Sequence, residues 1–220
     1  MMLADVVPQQ QLRDLFGQAL TLEEFGKDDL STIVKLKPGD IFATAGNVWN
    51  RIVTRGEMDV DPGRFGRHFD RKDPKLHKAI SKLIEDDVIR DVQMARAWRG
   101  VPRNANLVME LLLVEVYPGE LHLADVLLQH PDRLIAPLER RFTHQSHEGL
   151  GLLGVLVSNM ECYAQSKGIE HLTLTAADAD LIPLFQRHGF DVENSLAATI
   201  GLRAGMSIPM ERAVTHDQGV

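Results

Sequence analysis

The chain has 220 residues, 44% hydrophobic and 25% charged, a composition that excludes a disordered or fibrous protein and allows a sizeable buried core. Its formal net charge is −7, from 31 acidic against 24 basic residues, and a field of that sign disfavours nucleic acid and anionic membranes as partners. One cysteine, Cys162, excludes an internal disulfide framework and a multi-cysteine zinc site, and the longest apolar run, Leu111 to Val114, is far too short to cross a membrane.

The opening segment MMLADVVPQQ has no basic flank before an apolar stretch, so no secretory signal is expected and the expected compartment is cytoplasmic. Pro8 to Leu20 reads as a helix, with Leu12, Leu15, Phe16 and Ala19 at the spacing of one buried face. Thr21-Leu22-Glu23-Glu24 has the form of an N-cap followed by acidic first-turn residues and predicts a second helix start. Lys37-Pro38-Gly39-Asp40 reads as a turn and Ile41 to Ala45 as a short strand. From Gly46 to Pro74 glycine, proline and aspartate interrupt every period, and Asp73-Pro74 then opens a helix with Leu76, Ile80, Leu83 and Ile84 on one face.

Within this stretch lies the one concentration of positive charge. Arg64, Arg67, Arg71, Lys72, Lys75 and Lys78, with His68 and His77, face only Asp70 and Asp73. The patch (64–78) is either a solvated loop or a docking surface for an anionic partner.

Val88 to Trp98 and Asn106 to Tyr117 read as strands, and Pro118-Gly119 turns the second into a hairpin partner, Glu120 to Gln129. Pro131 and Pro137 bracket a connector. A long helix follows Ser146-His147-Glu148-Gly149, its stripe formed by Leu153, Leu156, Val157, Met160 and Ala164, and Gly168 stops it. Glu170 to Ala176 is a strand, Asp180 to His188 a short helix, Gly189 to Val192 the start of a strand, and Met206 to Arg212 a last one. The predicted class is α/β (α+β): a mixed, mostly antiparallel sheet flanked by helices, with an unassigned N-terminal region over residues 1–100 and a core over 101–220.

Three segments carry a resemblance to a known family. Gly149-Leu150-Gly151 before the long helix, Gly168 to Leu174, and Leu184-Phe185-Gln186-Arg187-His188-Gly189-Phe190 resemble the C-terminal half of GNAT-superfamily N-acetyltransferases. Gly205 to Arg212 resembles the last strand of many members, and the hairpin from residue 106 extends the likeness. The resemblance implies a GNAT-like core and acetyl-coenzyme A as co-substrate, without a metal. Its pyrophosphate would lie on backbone N–H groups at a helix N-terminus, where glycine admits close approach. Val126, Leu128, Ser146, Gly149, Leu150 and Gly151 are then the expected cofactor-binding residues. The implied activity is acyl transfer to an amine, on a small molecule or a protein; the acidic chain complements a cationic acceptor.

Such transfer needs a base for the amine, a donor for the thioester oxygen and a proton for the thiolate. Glu115 and Asp125 are the carboxylates set into the apolar hairpin, and a main-chain N–H around Val126 to Leu128 is the expected oxygen donor. The family's proton-donating tyrosine is Phe185 in this chain, so Tyr163, the nearest tyrosine, is the candidate for that role. Ser146 stands where the family usually has Gln or Arg, with Gln145 beside it. The alternative function is a GNAT-fold protein without catalysis, phage virion-associated or host-modulating, its N-terminal region meeting a protein partner; Val116 to Leu121 resembles the hairpin of such proteins. His122 alternates with Leu121 and Leu123 and points away from their face. Cys162 is expected to be a buried, inert thiol on the long helix rather than a nucleophile. His130, His144 and His147 lack the spacing of a metal site and read as a solvated connector.

Overall fold

The computed structural model describes residues 3–37, 88–117, 119–143 and 145–216. The turn at Lys37 to Asp40 beyond its first residue, the strand from Ile41, the helix opened by Asp73-Pro74, the basic patch 64–78 and His144 lie outside the described residues.

Among the described residues the elements run α1 (Gln9–Phe16), β1 (Leu20–Phe25), α2 (Leu30–Leu36), β2 (Ile89–Arg99), β3 (Leu107–Val116), β4 (Glu120–Leu134), β5 (His147–Gly149), α3 (Leu153–Lys167), β6 (His171–Asp178), α4 (Ile182–Gln186), β7 (Asp191–Val192), α5 (Leu196–Ala204) and β8 (Met206–Ala213). They build one eight-stranded sheet in the order β1-β2-β3-β4-β6-β8-β7, with β5 paired to β4 off that path. All pairings are antiparallel except β4 with β6, where α3 makes the crossover that a parallel pair requires. The mixed, mostly antiparallel sheet flanked by helices is therefore present.

Two cores explain why β3 reads as an apolar run and not as an alternation. Met109, Leu111 and Leu113 point to the face covered by α3, where they meet Leu156, Val157 and Met160. Leu112, Val114 and Val116 point to the other face, against Ile33 and Val34 of α2. A strand covered on both faces carries no polar side to show its period. Leu3, Val6, Val7 and Leu12 join the α3-side core, so residues early in the chain complete the same sheet domain as its end.

The structure differs from several sequence expectations. Thr21 to Glu24 belongs to strand β1 rather than to a helix: Leu20 and Leu22 pack on the core, and Thr21 donates its hydroxyl hydrogen to the carbonyl of Gly100 at 2.9 Å. Helix α1 stops at Phe16, and Leu15 and Ala19 are exposed. Cys162 is also exposed: Met160 and Ala164 are buried, and the residue midway between two core positions four apart points outward on a helix. Strand β4 runs five residues past Gln129, which absorbs part of the expected connector.

Helix α5 connects β7 to β8 and was not expected from the pattern. Ser195 caps it by accepting from the N–H of Ala198 at 3.1 Å, and Gly205 ends it with φ of 72°. It lies so close to β8 that a Cβ on Gly201 would sit 2.7 Å from the carbonyl oxygen of Ser207 and 3.0 Å from that of Met206. Gly201→Ala is therefore expected to destabilise the fold by about 1–3 kcal/mol through overpacking against backbone, measured by urea unfolding; an unchanged midpoint contradicts that contact.

Candidate functional site

The site begins where the parallel ladder ends. β4 and β6 pair only from Glu120 with His171 to Leu123 with Leu174. Beyond that, β6 continues along β8 as far as Asp178, while β4 turns away to meet β5 at Gln129 and Leu134. The turning point is a β-bulge: Leu113 opposes Leu123 but Leu112 opposes Asp125, so Ala124 is the extra residue. A gap thus opens through the sheet beside residues 124–128.

On the α3 side the gap leads into a cleft of about 1060 Å³. Val126 and Leu128 form its floor, Gly149 to Leu153 one wall, Leu181, Leu184 and Phe185 the opposite wall, and the loop after β4 its rim. Five of the six expected cofactor-binding residues line it: Val126, Leu128, Gly149, Leu150 and Gly151. Ser146 is not among the lining residues; its hydroxyl lies 2.9 Å from Nδ1 of His147. Gln145 does line the cleft, and its Oε1 accepts from the N–H of Arg141 at 3.0 Å, which fixes the rim loop.

Two features of the cleft would suit an anion, beside the carboxylates Glu139 and Glu148 that also line it. Gly151, at φ of 70°, turns the chain into α3, and no side chain caps that helix, whose first residues line the cleft. Three arginines stand around it: Arg133, paired with Glu148 at 3.1 Å, and Arg141 and Arg187, which are exposed and make no ion pair among the described residues. The arginines were not singled out from the sequence. Their distance along the chain hides them, and only Arg187 lies within a segment that carried the resemblance.

Backbone polarity at the floor follows from strand alternation. The Leu128 carbonyl accepts from the N–H of Leu150 at 3.2 Å, so Leu128 directs its polar groups away from β3. Val126, two residues earlier, directs its N–H the same way, into the gap.

The other mouth of the gap, on the α2 side, is charged. Lys37, at the C-terminus of α2, places Nζ 2.6 Å from Asp125 Oδ2 and 2.6 Å from Glu110 Oε1. Arg96 Nε lies 2.8 Å from the second oxygen of Glu110, and its guanidinium stacks 5.0 Å from the centre of the Trp98 ring. Burial lowers the pKa of Lys37, but its hydrogen bonds to Asp125 and Glu110 more than offset this, and the ammonium is held above its ordinary value.

Glu115 and Tyr163 come together elsewhere. Glu115 opposes Leu121 near the start of β4, roughly 16 Å from Val126 by strand rise. Tyr163 is buried and sits ten residues into α3, about 15 Å from its N-terminus. Burial, and then the negative charges of Glu115, Asp91 and Asp5, push the Tyr163 phenol up to about 12. Phe185 lines the cleft and packs edge-on against Phe190, ring centres 6.3 Å apart. His122 is buried on the α2 side with Nδ1 2.9 Å from Thr173 Oγ1. Among the described residues no group of three or more His, Cys, Asp or Glu side chains is placed to hold a metal ion, and no helix is long and apolar enough to cross a membrane.

No protein-family model matches the chain, and no curated protein matches it. Among solved structures the chain is similar to an acetyltransferase of the GNAT family from Staphylococcus aureus, at 10% identity over 90% of this chain and 100% of that one, with a TM-score of 0.38. It is similar to the catalytic domain of a Tetrahymena histone acetyltransferase in complex with coenzyme A, at 14% identity over 91% and 95%, with a TM-score of 0.39. A nourseothricin acetyltransferase matches at 17% identity with a TM-score of 0.36; 56% of this chain is covered, and it spans 66% of that enzyme's length.

The raised phenol has a measurable consequence. The folded state holds the Tyr163 proton more tightly than the unfolded chain, whose tyrosine titrates near 10. Its contribution is complete below about pH 10 and is lost as pH rises towards about 12, so stability falls across that window. Phenolate absorbance of the folded protein should show a step near 12 that Tyr163→Phe removes; a step near 10 that disappears in the variant contradicts the burial described.

Proposed function

We propose that the chain is an acyl-coenzyme A-dependent N-acyltransferase, acetyl being the default acyl group, acting on an amine. One juxtaposition carries the reading: the uncapped N-terminus of α3 and the arginines open onto the same gap whose edge presents the Val126 N–H and the Asp125 carboxylate. The resemblance of Gly149 to Gly151 and of Leu184 to Phe190 to the acetyltransferase pattern points the same way.

The residues fit such a co-substrate. The cleft volume of about 1060 Å³ accommodates a large ligand, and a pyrophosphate suits the N–H groups from Gly151 into the first turn of α3 with Arg141 and Arg187 nearby. Bound acyl-coenzyme A would supply the acyl group as a thioester. The chain's own part is threefold. The first turn of α3 and the arginines hold the anionic end. Val126 offers its N–H to a carbonyl oxygen in the gap, a preorganised donor needing no rearrangement. Asp125, at the far mouth, takes the proton of an incoming amine through its carboxylate, which makes the nitrogen lone pair available.

Glu115 and Tyr163 take no part in this arrangement; we assign them to the packing of α3 against the far end of β3. Tyr117, the other tyrosine of the chain, packs on the α2-side core, and in this reading the thiolate takes its proton from solvent. The phenyl ring of Phe185 in the cleft wall favours a second reading, a protein that binds the coenzyme without turnover.

Calorimetry with acetyl-coenzyme A separates these. Wild-type protein should bind it, Arg187→Glu should weaken binding about tenfold with a strong salt dependence, and Gly151→Val should abolish it because the left-handed φ excludes a branched side chain. Asp125→Asn should leave donor binding intact and lower turnover about a hundredfold. Absence of heat in the wild type refutes the proposal, and binding with no turnover on any amine leaves the second reading.

A further inference from the structure

Lys37 holds a position that an amine substrate would need. Glu110 and Asp125 lie on the same face of the sheet as diagonal neighbours: Asp125 opposes Leu112, two residues along β3 from Glu110. Two carboxylates so placed on a largely buried face repel unless a cation joins them. Arg96 pairs by charge with one oxygen of Glu110 from β2, and the other oxygen of Glu110 and Oδ2 of Asp125 each lie 2.6 Å from a single nitrogen. That nitrogen is a primary ammonium on an unbranched alkyl stem, brought by the end of α2 and seated at the mouth of the gap beside the bulge.

We propose that Glu110 and Asp125 form the ammonium subsite for the acceptor, that the acceptor is a primary alkylammonium, and that Lys37 fills the subsite in the free chain as an internal stand-in. The inference deepens the acyltransferase reading and rests on it for the word acceptor; the subsite itself rests on the geometry. The charged groups facing it among the described residues are Arg96 on β2, Glu110 on β3, Asp125 on β4 and Lys37 itself, and they sum to zero. With Lys37 in place a cationic substrate competes against a tethered copy of its own head group. With Lys37 swung out, the two carboxylates carry the charge that selects a cation, and the same ammonium is presented to Asp125 for deprotonation.

Chemical rescue tests this without any acyl donor. Lys37→Ala deletes the equivalent of n-propylamine and leaves two carboxylates unbridged, so its Tm should fall by several degrees. Added n-propylamine should restore the Tm saturably, tetramethylammonium chloride at equal ionic strength should not, and Asp125→Asn in the same background should remove the rescue. Equal effects of the two cations, or no effect of either, overturn the subsite. Should Lys37→Ala not fold, Lys37→Gln keeps a donor on the stem. Calorimetry should then show cadaverine binding Lys37→Gln at least about tenfold more tightly than wild type, and equal affinity overturns the stand-in. A chain that binds alkylamines but gives no heat with acetyl-coenzyme A keeps the subsite and loses the acyltransferase reading. The reverse result does the opposite.

Discussion

Strands β4 and β6 share four residue pairs and then separate, and the rest of the site follows from that separation. A parallel pair is held by slanted bonds and gains nothing once its strands diverge. The bulge at Ala124 supplies the divergence by adding a residue to β4, turning it towards β5 and re-aiming Asp125. Continuous pairing would bury the Val126 N–H in a ladder and close the passage between the two faces of the sheet. The gap leaves that N–H available and joins two chemically different compartments.

These compartments divide by charge. On the α3 side the uncapped helix start and the arginines favour an anionic ligand, and the walls below them are apolar. On the α2 side two carboxylates are bridged by a lysine ammonium. Adjacent residues of one strand serve both: Val126 faces one side and Asp125 the other, because side chains alternate across a sheet. An anionic donor and a cationic acceptor would thus approach from opposite faces and meet at the bulge. The arrangement lets each compartment hold its charge without weakening the other, since the sheet lies between them.

Elements with strong local signals were legible in the sequence. Helix α3 showed its stripe and its glycine stop, the β3–β4 hairpin its turn, and Gly149 to Gly151 the loop that now lines the cleft. Helix α5 escaped because it inverts the usual pattern. Ala198 and Gly201 face inward while Leu196, Ile200 and Leu202 are exposed, so the larger side chains mark the wrong face. Strand β1 escaped because Thr21 and two glutamates imitate a helix start, and only the free edge of β2 makes them a strand. The extension of β4 carries Pro131, which reads as a break in a central strand but is admissible where one side of the strand is unpaired. The Lys37 bridge was not legible at all. Its partners are distant in the chain, and no local period connects an α2 terminus to the middle of two strands.

In the proposed function the gap between β4 and β6, and not the buried end of the sheet holding Glu115 and Tyr163, would receive the coenzyme. Amide NMR with coenzyme A alone tests this directly, because it needs no acceptor and no chemistry. Saturable shifts are expected at the amides of Val126 and of Leu150 through Gly154, with those of Glu115 and Tyr163 unmoved. Shifts confined to the Glu115 and Tyr163 end, or none at saturating coenzyme, would contradict it.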